Sequence, residues 1–352
     1  MAAKTVVSSS YAEATIDSIS AEYRQASVPW IIGFSGGKDS SALLRLVYLA
    51  VGRLKRPRVP VCIVYCDTGV EIPVVARFVR RTLRALSAEA SMEGLPVEVR
   101  VARPPAADSY FVKVIGRGYP PPTNKFRWCT DRLRIAPVQR IVKQLSADGG
   151  LILLGLRHGE SQERDKTLHQ MHERDRFFRQ TGAPNTLIYA PILDYSTDQV
   201  WETLVEYPLP KALDTHELAR LYRDASGECP LIRDPAGSPC GKGRFGCWTC
   251  TVVRTDHSLT GLTERGYDDL KPLLDFRDWL QRIRDEPAFR CSQRRNGGSG
   301  PGPFTLAARR TILRRLRSAE ARSGYRLLSQ RELTLIHELW RSDRKSPLYC
   351  ET

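Results

Sequence analysis

A chain of 352 residues with 41% hydrophobic and 26% charged side chains has the balance of a soluble globular protein, which argues against a disordered or fibrous polymer and suits one large or two ordinary domains. Its 54 Lys and Arg against 39 Asp and Glu leave a net charge of +15 and an isoelectric point near 9.6, which favours a polyanionic partner over an acidic surface. Residues 1–25 lack a basic start followed by an apolar run, and the stretch Leu43 to Val51 is broken by Arg45, so no signal peptide or membrane span is expected and the chain is expected in the cytoplasm.

Short apolar runs bounded by turn signals stand at Trp30–Phe34, Val61–Cys66, Val97–Val101, Leu151–Gly155 and Leu187–Ala190, most of them separated by segments of helical period. That alternation predicts an α/β fold: a parallel sheet sandwiched by helices, with ligands at the carboxyl ends of the strands. The first two strands run into Ser35-Gly36-Gly37 and Asp67-Thr68-Gly69, which places both motifs at that edge. From about Trp201 the strand runs stop and prolines punctuate a loop-rich stretch, so the expected division is an α/β domain over residues 1–200 and a mainly helical, cysteine-bearing region over 201–352. Within the latter, Tyr267–Ile283 reads as helical, the Gly/Pro-rich run from Asn296 to Pro303 as a flexible loop, and Thr305–Arg322 as an amphipathic helix. This last helix sets Leu306, Leu313 and Leu316 against Arg309, Arg310, Arg314, Arg315 and Arg317, a stripe that suits either a solvated face or a phosphate-contacting one.

A strand running into Ser35-Gly36-Gly37-Lys38-Asp39-Ser40 and then a helix over Ser41–Val51 is built for an anion. Glycines let backbone approach a phosphate, the helix start presents N–H groups, and Lys38 adds charge. Spacing excludes a Walker A loop, because Ile32 and Asp39 stand where Gly and Ser or Thr are needed. Downstream, Cys247-Trp248-Thr249-Cys250 is a C-x-x-C unit preceded by Cys240 and Cys229. In a reducing compartment, grouped cysteines among a total of nine point to metal or sulfur chemistry, and this spacing suits zinc or an iron–sulfur cluster. Cys62 and Cys66 lie on or at the end of a predicted strand and read as small apolar residues.

The loop resembles that of the PP-loop ATPases, whose members cleave ATP between the α and β phosphates. Further segments look like their sulfate-assimilation branch, the PAPS and APS reductases: Asp67-Thr68-Gly69 with Glu71-Ile72-Pro73, Gly155-Leu156-Arg157 with Glu160-Ser161 and Arg164, and Pro191-Ile192 with Asp194 to Trp201. The resemblance implies ATP and Mg²⁺ at Ser35 to Ser40 and Gly155, with Asp67 near the adenosine and Arg157 and Arg164 near phosphates. Spacing alone also allows Arg157 and Arg164 to pair with Glu160 or Glu163, and Asp39 to orient Lys38 or to reach Mg²⁺. Cys129, in Phe126-Arg127-Trp128-Cys129, occupies the position where cluster-bearing APS reductases have a Cys-Cys pair. The implied [4Fe–4S] set is therefore Cys129, Cys240, Cys247 and Cys250, with Cys229 in reserve and Cys129 joining the α/β domain to the later cysteines.

Longer segments, Leu221 to Pro230, Arg244 to Val253 and Gly300 to Thr305, are similar to the DndC group, the ATP-dependent sulfurtransferases of DNA phosphorothioation. The chain ends Cys350-Glu351-Thr352, without the Cys-Gly-Leu-His tail of the reductases. The resemblance implies an ATP pyrophosphatase and sulfurtransferase that activates a DNA phosphate oxygen for replacement by sulfur. Its partners would be DNA, a cysteine desulfurase as sulfur donor and other phosphorothioation proteins. A sulfonucleotide reductase, a tRNA thiolase and a non-catalytic, cluster-stabilised DNA-binding subunit are the alternatives.

Overall fold

Each of the five apolar runs forms a strand in the computed structural model, which describes residues 10–145, 149–159, 170, 172–179, 186–226, 245–295 and 297–344. By packing, the chain falls into two units whose segments interleave: residues 1–66, 74–102 and 138–244 form the first, and 67–73, 103–137 and 245–352 the second. This differs from the expected division near residue 200, because two earlier segments pack with the helical region.

The first unit is built on β1 (Trp30–Phe34), β2 (Val61–Cys66), β3 (Val97–Ala102), β4 (Gly150–Leu153), β5 (His172–Arg174), β6 (Phe177–Arg179) and β7 (Thr186–Tyr189). Their order is β3-β2-β1-β4-β7-β6-β5; the first five are parallel, and β6 and β5 add an antiparallel edge. β1 is central and buried at nearly every position, as expected of a parallel strand covered on both faces. Helices α1 (Ser10–Gln25), α2 (Lys38–Gly52), α3 (Pro73–Met92) and α4 (Ala136–Leu145) flank the strands in chain order, followed by α5 (Thr197–Glu206) and α6 (Thr215–Ser226). On one face Ile31, Cys62, Val64, Ala102 and Ile152 pack with Val142 of α4. Burial pushes the Cys62 thiol up to about 12, as befits a core side chain.

The second unit contains α7 (His257–Glu264), α8 (Lys271–Ile283), α9 (Leu306–Ser323) and α10 (Gln330–Asp343). The expected amphipathic helix is α9, begun by the Thr305 side chain accepting the Ala308 N–H and ended by Gly324 at φ 71°. The Gly/Pro run before it is no open loop over its described residues: Arg294 N–H bonds to Gly298 O, Gly302 N–H to Cys291 O, and Phe304 N–H to Gly118 O. The arginine stripe is also not one surface. Arg309 is buried and donates to Gly116 O at 2.6 Å and Asp343 at 2.8 Å, Arg315 lies 4.4 Å over the Trp279 ring, and Arg317 pairs with Glu320. Among the described residues no helix is long and apolar enough to cross a membrane.

Candidate functional site

In the first unit the Ser35–Ser40 loop joins β1 to α2, so the strand's carboxyl end delivers the chain directly to a helix N-terminus. Gly36 takes φ 76°, and a Cβ there would stand 2.2 Å from Val79 Cγ2, so glycine is required twice over. The loop is stitched from within: Ser40 Oγ donates to Gly37 O at 3.0 Å and lies 3.0 Å from Ser35 Oγ. Gly155, just beyond β4, passes so close that a Cβ would be 2.8 Å from the Asp39 carbonyl and 2.9 Å from Ser40 N. The expected nucleotide residues Ser35, Gly36, Gly37, Lys38, Asp39, Ser40 and Gly155 thus meet at one place.

Asp39 sits between two cations. Lys38 Nζ lies 2.7 Å from Asp39 Oδ2 and Arg157 Nε 2.5 Å from Oδ1. Arg157 is 8% exposed, and its remaining donors reach Tyr195 O at 2.9 Å and Thr197 Oγ1 at 3.4 Å. The arginine therefore pairs with the loop's own carboxylate, which Lys38 also contacts. Each Asp39 oxygen thus meets one cation of the site. Arg164 lies outside the described residues.

A residue that sequence reasoning missed completes this site. Tyr222 of α6 accepts the Lys38 N–H on its hydroxyl at 3.0 Å, and its ring packs edge-on against Trp201 with centroids 5.4 Å apart. α2 has no side-chain cap from Gly37, so this hydroxyl meets one of the helix-start donors.

The cysteine site belongs to the second unit. Cys247 and Cys250 share a tight turn, with Cys250 N–H bonded to Cys247 O at 3.0 Å, and Trp248 N–H bonds to Val70 O. Trp248 is buried between Phe111 and Phe276, its ring centroid 5.9 Å from each. Cys129 belongs to this same unit, where the division at residue 200 expected it in the other. Tyr110 lies among the three: its hydroxyl donates to Thr249 O at 3.3 Å, and burial first, then the charges of Cys129, Cys250 and Cys247, push its ionisation up. Burial raises the Cys247 and Cys129 thiols as well, with the Arg134 guanidinium, 3.5 Å from Cys247 Sγ, opposing it. Thr68 Oγ1 is 3.7 Å from Cys247 Sγ and donates to Glu71. Asp67, also of this unit, is buried and accepts from Gly69 N–H at 3.2 Å and Arg103 Nε at 3.1 Å.

Among the described residues no three Cys, His, Asp or Glu side chains converge tightly enough to hold a single metal ion. Cys129, Cys247 and Cys250 lie in the same packing unit, with the Arg134 guanidinium beside Cys247. Cys240 and Cys229 lie outside the described residues.

A family model described as the phosphoadenosine phosphosulfate reductase domain matches residues 29–253, from the start of β1 through the C-x-x-C turn. The chain belongs to that family. A stretch of 200 residues is 26% identical to an uncharacterized protein of Methanocaldococcus jannaschii, covering 57% of this chain but only 36% of that protein. Among solved structures, the phosphoadenylyl-sulfate reductase of Candida auris in its phosphate complex overlaps 59% of this chain and 84% of its own, at 15% identity and a TM-score of 0.36. The U34-tRNA thiolase NcsA of Methanococcus maripaludis, with its [4Fe-4S] cluster, overlaps 77% of this chain and 79% of its own, at 10% identity and a TM-score of 0.34. Likeness at this level is too partial to carry function. The family match covers both the Ser35–Ser40 loop and Cys247 and Cys250, and α7 to α10 lie beyond the matched region.

Proposed function

We propose that this chain is an ATP-dependent sulfurtransferase that activates a DNA backbone phosphate oxygen for replacement by sulfur. The observation that carries the ATP part is the Lys38–Asp39–Arg157 chain at the β1–α2 loop, a cation held in place where a helix start faces an incoming anion. In this reading a non-bridging DNA phosphate oxygen attacks the α-phosphorus of ATP and pyrophosphate leaves. The terminal sulfur of a persulfide, supplied by a cysteine desulfurase, then displaces AMP, and a further thiol cleaves the S–S bond to free the thiophosphate. Adenylation turns a poor leaving group into a good one, and the loop's part is positioning and charge neutralisation. Cys129, Cys247 and Cys250, with Cys240, would hold a [4Fe–4S] cluster, which would supply electron or sulfur chemistry beside Arg134. The DNA and sulfur-donor parts rest on the resemblance of the segments around Leu221 to Pro230 and Arg244 to Val253 to the DndC group.

The deciding experiment supplies ATP, Mg²⁺, a cysteine desulfurase with ³⁵S-labelled cysteine, and DNA. Label should enter the DNA backbone with AMP and pyrophosphate formed, and Lys38→Ala should abolish both. Release of ADP and phosphate instead would overturn the ATP assignment. The family match favours sulfonucleotide reduction as the second reading. It would gain if labelled phosphoadenylyl sulfate were reduced to sulfite while DNA stayed unlabelled.

A further inference from the structure

Directly after the C-x-x-C turn, the chain from Cys250 to Arg254 is held against α8 by its carbonyl groups. Arg277, 1% exposed, donates to Cys250 O and Arg254 O at 2.9 Å each and also to Val253 O. One turn on, Gln281 Nε2 reaches Val253 O at 3.0 Å, and Arg284 Nη1 reaches Thr251 O at 3.0 Å. The Thr251 hydroxyl donates to Pro122 O at 2.7 Å, which brings the following turn, Thr123 to Phe126, alongside. That turn is closed by paired backbone bonds between Thr123 and Phe126.

Between these segments lies an open groove of about 630 Å³, lined among others by Asn124, Lys125, Val252, Arg254, Gln281 and Arg284. Three of its lining side chains are cationic and none is acidic. Arg284 is anchored by Asp285 at 2.8 Å as well as by the Thr251 carbonyl, whereas Lys125 and Arg254 are exposed. Flanking these two in the chain are large apolar side chains that also face solvent: Phe126, 46% exposed, and Val253, 46% exposed. Arg127, exposed too, donates to Asn124 Oδ1 at 3.0 Å.

Cations that track a backbone, interleaved with an exposed aromatic face, are what an unpaired polynucleotide recognises: phosphates take the charge and a base takes the ring. An acidic peptide would use the cations but would leave Phe126 unexplained. We propose that this groove seats an unpaired DNA strand, with phosphates at Lys125 and Arg254 and a base stacked on Phe126. The inference rests on DNA being the acceptor, and it deepens that reading by naming the surface and the strand state it binds.

The test measures fluorescence anisotropy of a labelled single-stranded oligonucleotide, its duplex and an RNA of the same sequence with the full chain, over a series of salt concentrations. The wild-type chain should favour the single DNA strand. Lys125→Glu with Arg254→Glu should weaken that binding at least tenfold and lower the magnitude of the log–log salt slope by about 1.4, since each phosphate no longer neutralised removes about 0.7. Phe126→Ala should weaken it about fivefold or more with the slope unchanged, and Phe126→Trp should restore it. Thermal unfolding of each variant guards against misfolding, and the Phe126→Trp rescue keeps the test open if one variant unfolds. If wild type binds DNA and none of these variants weakens it, the groove is overturned while DNA remains the acceptor. Preference for duplex or RNA, or equal competition by polyglutamate, overturns the strand assignment. Absence of DNA binding at low salt overturns both the groove and the acceptor reading.

Discussion

Lys38, Asp39 and Arg157 show how unequal the members of one ion chain are. Removing Lys38 leaves Asp39 paired with Arg157, while removing Asp39 leaves two buried cations, each 8% exposed, without their shared carboxylate. Asp39→Ala should therefore cost about 3 kcal/mol of stability and Lys38→Ala clearly less, although Lys38 is the residue nearer the proposed chemistry. Urea unfolding of the two variants checks the order, and equal losses would show that Asp39 does not hold Arg157. Tyr222 invites a similar comparison. Tyr222→Phe keeps the ring against Trp201 but strands the buried Lys38 N–H, and should lower stability by about 1 kcal/mol. At this scale the sequence announces the loop, because glycines beside a lysine at a strand end have a definite use for an anion. It does not announce Tyr222, which sits 184 positions away in the chain, in a segment from Leu221 to Pro230 that stands out there only by resemblance.

At the scale of elements, strands β1 and β2 are legible because continuous apolar runs between turn signals have few other uses, and β3 because its valines alternate with Glu98 and Arg100. The β5–β6 hairpin is not, since three-residue strands carry too few positions to show a period. Nor is α1, where Ile16 and Ile19 are buried within an otherwise polar stretch. α8 is legible as a helix yet misleading as a pattern. Arg277, Gln281 and Arg284 recur at helical spacing and suggest a solvated face, whereas they donate to the carbonyls of the segment after the C-x-x-C turn. Arg277→Met should fill the same space but leave the Cys250 and Arg254 carbonyls without their donor and Val253 O with Gln281 alone, costing about 2 kcal/mol or more. Chemical denaturation would register that loss, and iron content should fall with it as the Cys250 turn loosens. A surface role for Arg277 would leave both unchanged.

For the molecule as a whole, the interleaving of the two packing units is what the linear sequence hides. A composition shift near residue 200 is real, but residues 67–73 and 103–137 pack with the later helices, and no local pattern marks such a crossing. The consequence for the cysteines is specific. Cys129, Cys247 and Cys250 lie in one unit, so a cluster held by them would stabilise that unit. Anaerobically purified protein should carry about four irons and four acid-labile sulfides per chain. Cys129→Ser and Cys247→Ser should deplete both, while Cys62→Ser, in the sheet core, should deplete neither. Chelation of the iron should then speed hydrogen exchange at the amides of Thr130, Trp248 and Cys250, whose bonds to Arg127 O, Val70 O and Cys247 O belong to the cysteine unit. The β1–β2 ladder, Trp30 to Phe34 against Val61 to Tyr65, should keep its protection. Equal loss of protection in the ladder would show that the cluster joins the two units after all, and one zinc per chain in place of iron would make the turn a structural zinc site.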